Sequence, residues 1–109
     1  MRVVEYLDEL GRSPFRRWLQ RLDATAAAKV VTALYRLEQG NLSNVKSVGN
    51  GVFEQRIHFG PGYRVYFGRR GTSLVILLGG GSKQRQAEEI TAAQETWNLY
   101  RQRERRAPR

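Results

Sequence analysis

The sequence predicts an α+β domain in which helices pack on one face of a mostly antiparallel sheet, in the order β-α-α-β-β-β-α. Two observations carry that expectation. Apolar residues recur at helical spacing over residues 13–39 and again over 82–100, whereas between 53 and 78 they alternate with period two or run continuously. The 109 residues, 40% of them hydrophobic, can build one core and are too few for two. The expected organisation is a single domain over residues 1–100 followed by a basic tail at 101–109.

Each element has a local reason. Arg2 to Tyr6 is short and rich in β-formers. Ser13-Pro14 offers an N-cap followed by proline at the first helical position, and Phe15, Trp18, Leu19 and Leu22 follow at helical spacing. Asp23 caps a second helix with an expected stripe of Ala27, Val30, Val31, Leu34 and Leu37, and Gly40-Asn41 supplies a left-handed stop. After a polar loop, Phe53, Gln55, Ile57 and Phe59 point one way, while Glu54, Arg56 and His58 point the other. The next strand repeats this, with Tyr63, Val65 and Phe67 opposed to Arg64 and Tyr66. Leu74 to Leu78 is apolar throughout and reads as a central strand that Gly79-Gly80-Gly81 ends. Ser82 then caps a last helix with Ala87, Ile90, Ala93, Trp97 and Tyr100 on its stripe. Gln55, on an otherwise apolar side, has no explanation in the pattern.

Charge narrows the class of function. Nineteen Lys and Arg against ten Asp and Glu give a net charge of +9, and sixteen of the nineteen are arginine, the lysines being Lys29, Lys46 and Lys83. Arginine presents a planar fork that suits phosphate and keeps its charge when partly desolvated, so a polyanionic partner is expected. Cysteine is absent and His58 is the only histidine, so neither disulfides nor a metal centre nor another cofactor is expected. The amino terminus has an acid at Glu5 and no long apolar run, which predicts no membrane span and a cytoplasmic protein. The segment "GGGSKQRQ" lacks phosphate-loop spacing, because Ser82 separates Gly81 from Lys83, and a nucleoside triphosphatase is rejected.

The candidate site lies on the polar side of the hairpin. Arginine holds phosphate, and histidine and tyrosine stack on unpaired bases, so Arg56, His58, Arg64 and Tyr66 on an open sheet face predict a single-stranded RNA site. Lys83 and Arg85 stand in the first turn of the last helix, where the dipole favours an anion over a cation; an incoming phosphate resolves that conflict. This inventory suits RNA cleavage by the substrate's own 2′-hydroxyl. The protein then needs only to orient the nucleophile, move protons and stabilise the phosphorane. His58, Lys83 and Tyr66 are the candidate proton-transfer groups, and Arg56 and Arg64 the candidates to hold the charge. Trp18 and Trp97, on helical stripes, are read as core.

"GNLSNVKSVGNGVFEQRIHFGPGYRVYF", followed by a Gly-Gly-x-Lys-x-x-Gln segment, resembles the RelE/ParE toxin superfamily, in its phage-derived, HigB-like (Gp49-like) addiction-module killer branch. The likeness runs from "FRRWLQRLD" to Ile90 and is most specific in "RIHFGPGYRVYF" and "LEQGN". It implies a RelE-like fold and a cytoplasmic toxin paired with a helix-turn-helix antitoxin. It also implies a metal-independent, ribosome-dependent messenger-RNA endonuclease that inhibits translation. The family's basic positions fall on Lys46, Arg56, Arg64 and Lys83, with Tyr66 beside them. Lys46, Arg85 and Tyr63 are expected to bind RNA, and Arg56, Arg64, Lys83, Tyr66 and His58 to act in catalysis. The chain departs from the family pattern at Ser82, where an acid is common, at Arg85, where a hydroxyl is common, and at Gln55, where leucine is usual. Two other readings compete: a ParE-like inhibitor of a DNA-processing enzyme such as gyrase, and a non-catalytic RNA-binding module held by charge.

Overall fold

A computed structural model describes residues 1–106. The strands are β1 (Arg2–Glu5), β2 (Val45–Gly49), β3 (Val52–Ile57), β4 (Tyr63–Arg70) and β5 (Leu74–Ser82); the helices are α1 (Pro14–Gln20), α2 (Ala24–Glu38) and α3 (Gln86–Arg106), with a 3₁₀ turn at Lys83–Arg85. They form one five-stranded sheet in the order β1-β5-β4-β3-β2. Only β1 pairs in parallel, with β5; the other three pairings are antiparallel. The α+β class and the mostly antiparallel sheet are as the sequence predicts.

The caps are those the sequence names. Ser13 Oγ accepts the Arg16 N–H at 3.0 Å and Asp23 Oδ1 accepts the Ala26 N–H at 2.8 Å, each satisfying one of the donors a helix start leaves free. Along α2 the buried stripe is Ala26, Val30, Ala33 and Leu37. It is rotated from the expected one, and Val31 is exposed. Helix α1 and α2 cover one face of the sheet, where Phe15, Trp18, Val30 and Leu37 meet Ile57, Val65, Phe67, Val75 and Leu77.

Helix α3 corrects the expectation of helices on a single face. Its Ala93 and Trp97 pack on the opposite side of the sheet against Tyr6, Val52, Tyr66, Ile76 and Leu78. Two glycines fix this sandwich. A Cβ on Gly80 would strike the Trp18 ring on one face, and a Cβ on Gly68 would strike the Trp97 ring on the other. Each tryptophan thus lies directly on backbone, removing on the order of 200 Å² from water, worth about 5 kcal/mol before ordering costs.

Two further differences have local causes. Strand β5 continues through the three glycines to Ser82 because Tyr63, Arg64 and Val65 of β4 pair with Ser82, Gly81 and Gly80. Ser82 is followed by the 3₁₀ turn and makes no side-chain cap. Strand β2 is additional: a short edge strand joined to β3 through Gly49, Asn50 and Gly51, all at positive φ. The expected basic tail is helical as far as Arg106, and residues 107–109 lie outside the described residues. Among the described residues no helix is long and apolar enough to cross a membrane.

Candidate functional site

The β3–β4 hairpin and the end of β5 converge on one edge of the sheet. Arg56 faces Arg64 across the hairpin, Tyr63 faces Ser82, and Lys83 follows directly. The loop between the strands turns at Gly60 and Gly62, both at positive φ where a side chain would be strained. The result is a cleft of about 320 Å³ lined by Arg56, His58, Tyr63, Arg64, Lys83 and the Gly60-Pro61-Gly62 loop. Arg56, His58 and Lys83 are exposed, and Tyr63 is half-buried with its ring edge-on to Trp18 at 6.2 Å between centroids. Five of the eight expected site residues are brought together here.

Arg64 enters this cleft from below. It is only 4% exposed; Nη1 donates to the Gly62 carbonyl at 3.2 Å, and Nε lies 3.5 Å from Glu54 Oε2. Glu54 is fully buried. Its carboxylate accepts a hydrogen bond from Gln86 Nε2 at 2.9 Å, and the exposed Lys46 ammonium lies 3.9 Å away. One buried anion therefore sits between two cations and ties β2, β3, β4 and the first turn of α3 together. A buried pair of this kind adds little net stability over an apolar substitute, but removing one partner strands the other charge at about 3–5 kcal/mol. It fixes the guanidinium so that one edge faces the loop.

Tyr66 is not part of the cleft. The expected open face is roofed by α3, and Tyr66 is 1% exposed beneath it, with a hydroxyl that finds no partner among the described residues. Burial pushes this phenol up well beyond its ordinary value, and the Glu54 carboxylate adds to the shift. Glu89 of α3 occupies the space that a Cβ on Gly81 would take. Burial raises its carboxyl, while Arg85 and the Ser82 backbone amide pull the other way.

Arg85 is exposed and paired with Glu88 at 2.9 Å, and this pairing raises the guanidinium further. Lys46 leans on Glu54 rather than lining the cleft. Glu54, Gln86 and Glu89 are the polar groups that the sequence reading passed over. A signal for Glu54 was present: a lone carboxylate inside a strand of a strongly basic chain, on the face shared with Arg56, Arg64 and Lys46. No group of three or more His, Cys, Asp or Glu is placed to hold a metal among the described residues. The cleft itself presents exposed Arg56, His58 and Lys83 above a floor held by the Arg64–Glu54 ion pair.

Comparison with known proteins gives a relative and a family. A protein of Haemophilus influenzae (strain ATCC 51907 / DSM 11121 / KW20 / Rd), described as an uncharacterized protein, is 45% identical over 80 residues, which cover 72% of this chain and 81% of the relative. Residues 17–100, and with them α2, every strand of the cleft and most of α3, match the family described as "Phage derived protein Gp49-like (DUF891)". The chain therefore belongs to the Gp49-like family, the HigB-like addiction-module killer branch of the RelE/ParE toxin superfamily.

Proposed function

We propose that the protein is the toxin of a toxin–antitoxin pair that cleaves messenger RNA on the ribosome without a metal. The observation that carries this reading is the convergence of Arg56, His58, Arg64 and Lys83 on one open cleft beside the hairpin loop. In the proposed step the substrate's 2′-oxygen attacks the adjacent phosphorus, a new O2′–P bond forms and the P–O5′ bond breaks. His58 takes the 2′ proton and Lys83 supplies one to the departing 5′-oxygen, leaving a 2′,3′-cyclic phosphate and a 5′-hydroxyl. Arg56 and Arg64 hold the non-bridging oxygens, whose charge grows at the phosphorane. Tyr63 walls the cleft on the apolar side. Tyr66, roofed by α3, serves the fold rather than the proton transfers.

Glu54 has a defined part in this reading. It orients Arg64 and, through Gln86, joins the hairpin to the start of α3, so the cleft is preorganised. The antitoxin that such a family implies is expected to silence the toxin by occupying or deforming this edge. The reading is tested by brief induction in growing cells, followed by 5′-end mapping of messages and chemical identification of the 3′ end. Cyclic-phosphate ends within translated codons are expected. Intact messages with a DNA-damage response would replace the reading with inhibition of a DNA-processing enzyme.

A further inference from the structure

A second cleft opens on the other side of the segment 55–59, between that segment, α2 and the loop before β2. Its volume is about 360 Å³, and its walls carry Lys29, Arg36, Arg56 and His58 together with Asn41 and Asn44, and no carboxylate among the described residues. Lys29, Thr32, Ala33 and Arg36 stand at i, i+3, i+4 and i+7, so α2 presents one face to it. Neither Lys29 nor Arg36 forms an ion pair among the described residues. The Lys29 ammonium sits 5.4 Å from the centre of the Phe59 ring, at the lip shared with the first cleft. Gln55 lines the same cleft; it is 4% exposed and its carbonyl has no partner among the described residues.

The two clefts share Arg56, Ile57, His58 and Phe59. A chain of phosphates leaving the first therefore passes over Arg56 into the second. We infer that this second cleft is an extension of the RNA path, in which Lys29 and Arg36 bind phosphates flanking the reacting one and Gln55 contacts a base edge. The inference rests on the RNA-cleavage reading. It assigns a role to the glutamine that interrupts an apolar strand face, and it explains why α2, a helix otherwise devoted to the core, carries two unpaired cations about 10.5 Å apart along its axis. A buried carbonyl that finds no partner among the described residues costs stability, so Gln55 at this position is expected to serve a ligand.

The test uses the purified full-length protein with 2′-O-methylated RNA, which cannot be cleaved, as a dinucleotide and as a hexanucleotide, read by fluorescence anisotropy over a salt series. The double variant Lys29→Gln/Arg36→Gln alters exposed side chains only. It is expected to weaken hexanucleotide binding about tenfold and to reduce the salt slope by about 1.4, the value for two lost contacts to a single strand, while dinucleotide binding stays unchanged. Gln55→Leu is expected to keep or raise the unfolding midpoint and yet lower hexanucleotide affinity; a purely structural glutamine would move the midpoint alone. Hexanucleotide binding unaffected by the double variant overturns the extended path while leaving the first cleft intact. If the variant instead loses affinity for its antitoxin with RNA binding unchanged, the cleft belongs to a protein partner and the inference fails. Wild-type protein that binds neither oligonucleotide, whether free or in the presence of ribosomes, overturns the RNA-cleavage reading and the path with it.

Discussion

Arg56 and Arg64 stand opposite each other on β3 and β4, on the same face of the same hairpin, and nothing in their residue type or spacing separates them. Arg56 is exposed at the rim, free to reach a phosphate. Arg64 is buried under the start of α3, with a hydrogen bond to Gly62 and an ion pair to Glu54. The rim and the floor of one cleft thus place identical chemistry in different settings: in the proposed reading the rim cation serves the ligand alone, and the floor cation serves both the ligand and the fold. Substitutions should separate the two, because rim changes alter activity in a stable protein and floor changes alter both.

The largest effect is expected at the floor. Arg64→Ala leaves Glu54 buried without its nearest cation, and Glu54→Ala does the reverse to Arg64; each should lower stability by about 3–5 kcal/mol in urea unfolding. The double change Glu54→Leu/Arg64→Met should recover most of that loss while remaining inactive. A single Arg64→Ala protein as stable as the parent would break the distinction between rim and floor.

At the rim, Arg56→Ala should leave the unfolding free energy within about 0.5 kcal/mol and lower RNA cleavage about a hundredfold, equivalent to about 2.7 kcal/mol of transition-state stabilisation. Equal losses of stability and activity would place Arg56 with Arg64. Tyr66→Phe sharpens the contrast from below. Its hydroxyl is buried and makes no hydrogen bond of good geometry among the described residues, so the variant should be at least as stable as the parent and cleave RNA within about twofold. A stable but inactive Tyr66→Phe protein would return this phenol to the chemistry and imply that α3 lifts during the reaction.

The smallest effect is expected at Glu89. Burial raises its carboxyl above the ordinary value of 4.5, so between the unfolded and folded values the folded chain holds more proton than the unfolded one. Stability from this group is then greatest at low pH and falls as pH rises through that window. Glu89→Gln should therefore melt above the parent at neutral pH, and the gap should close when the pH is brought below 4.5. A gap that widens on acidification would mean that the carboxylate is stabilised by Arg85 and Ser82 more than burial penalises it.

Much of this was legible in the sequence because it depends on period and caps. Ser13 and Asp23 cap the helices they precede, and the alternation through β3 and β4 gives the correct faces. What was not legible depends on what each face meets. Tyr66 and Arg64 have the pattern of an open polar face, and only the placement of α3 over Gly68 and Gly81 shows that they are roofed. The three glycines read as a terminator, although their lack of side chains is what lets β5 continue between Trp18 and Glu89. Strand β2 escaped notice because it is a short, exposed edge, yet the Asn50-Gly51 pair beside it is a strong local hairpin signal. Gln55 had no explanation as a strand residue because its surroundings, a basic cleft against α2, lie outside the strand.

The central claim is that this edge of the sheet cuts RNA through its rim. It is tested most directly by mapping 5′ ends of cellular messages after brief induction of the wild type, Arg56→Ala and Tyr66→Phe, each checked for folding by its unfolding midpoint. Cuts within translated codons for the wild type and Tyr66→Phe, lost in a stably folded Arg56→Ala protein, are the predicted result. Intact messages during growth arrest by the wild type, or cuts undiminished by Arg56→Ala, would contradict it.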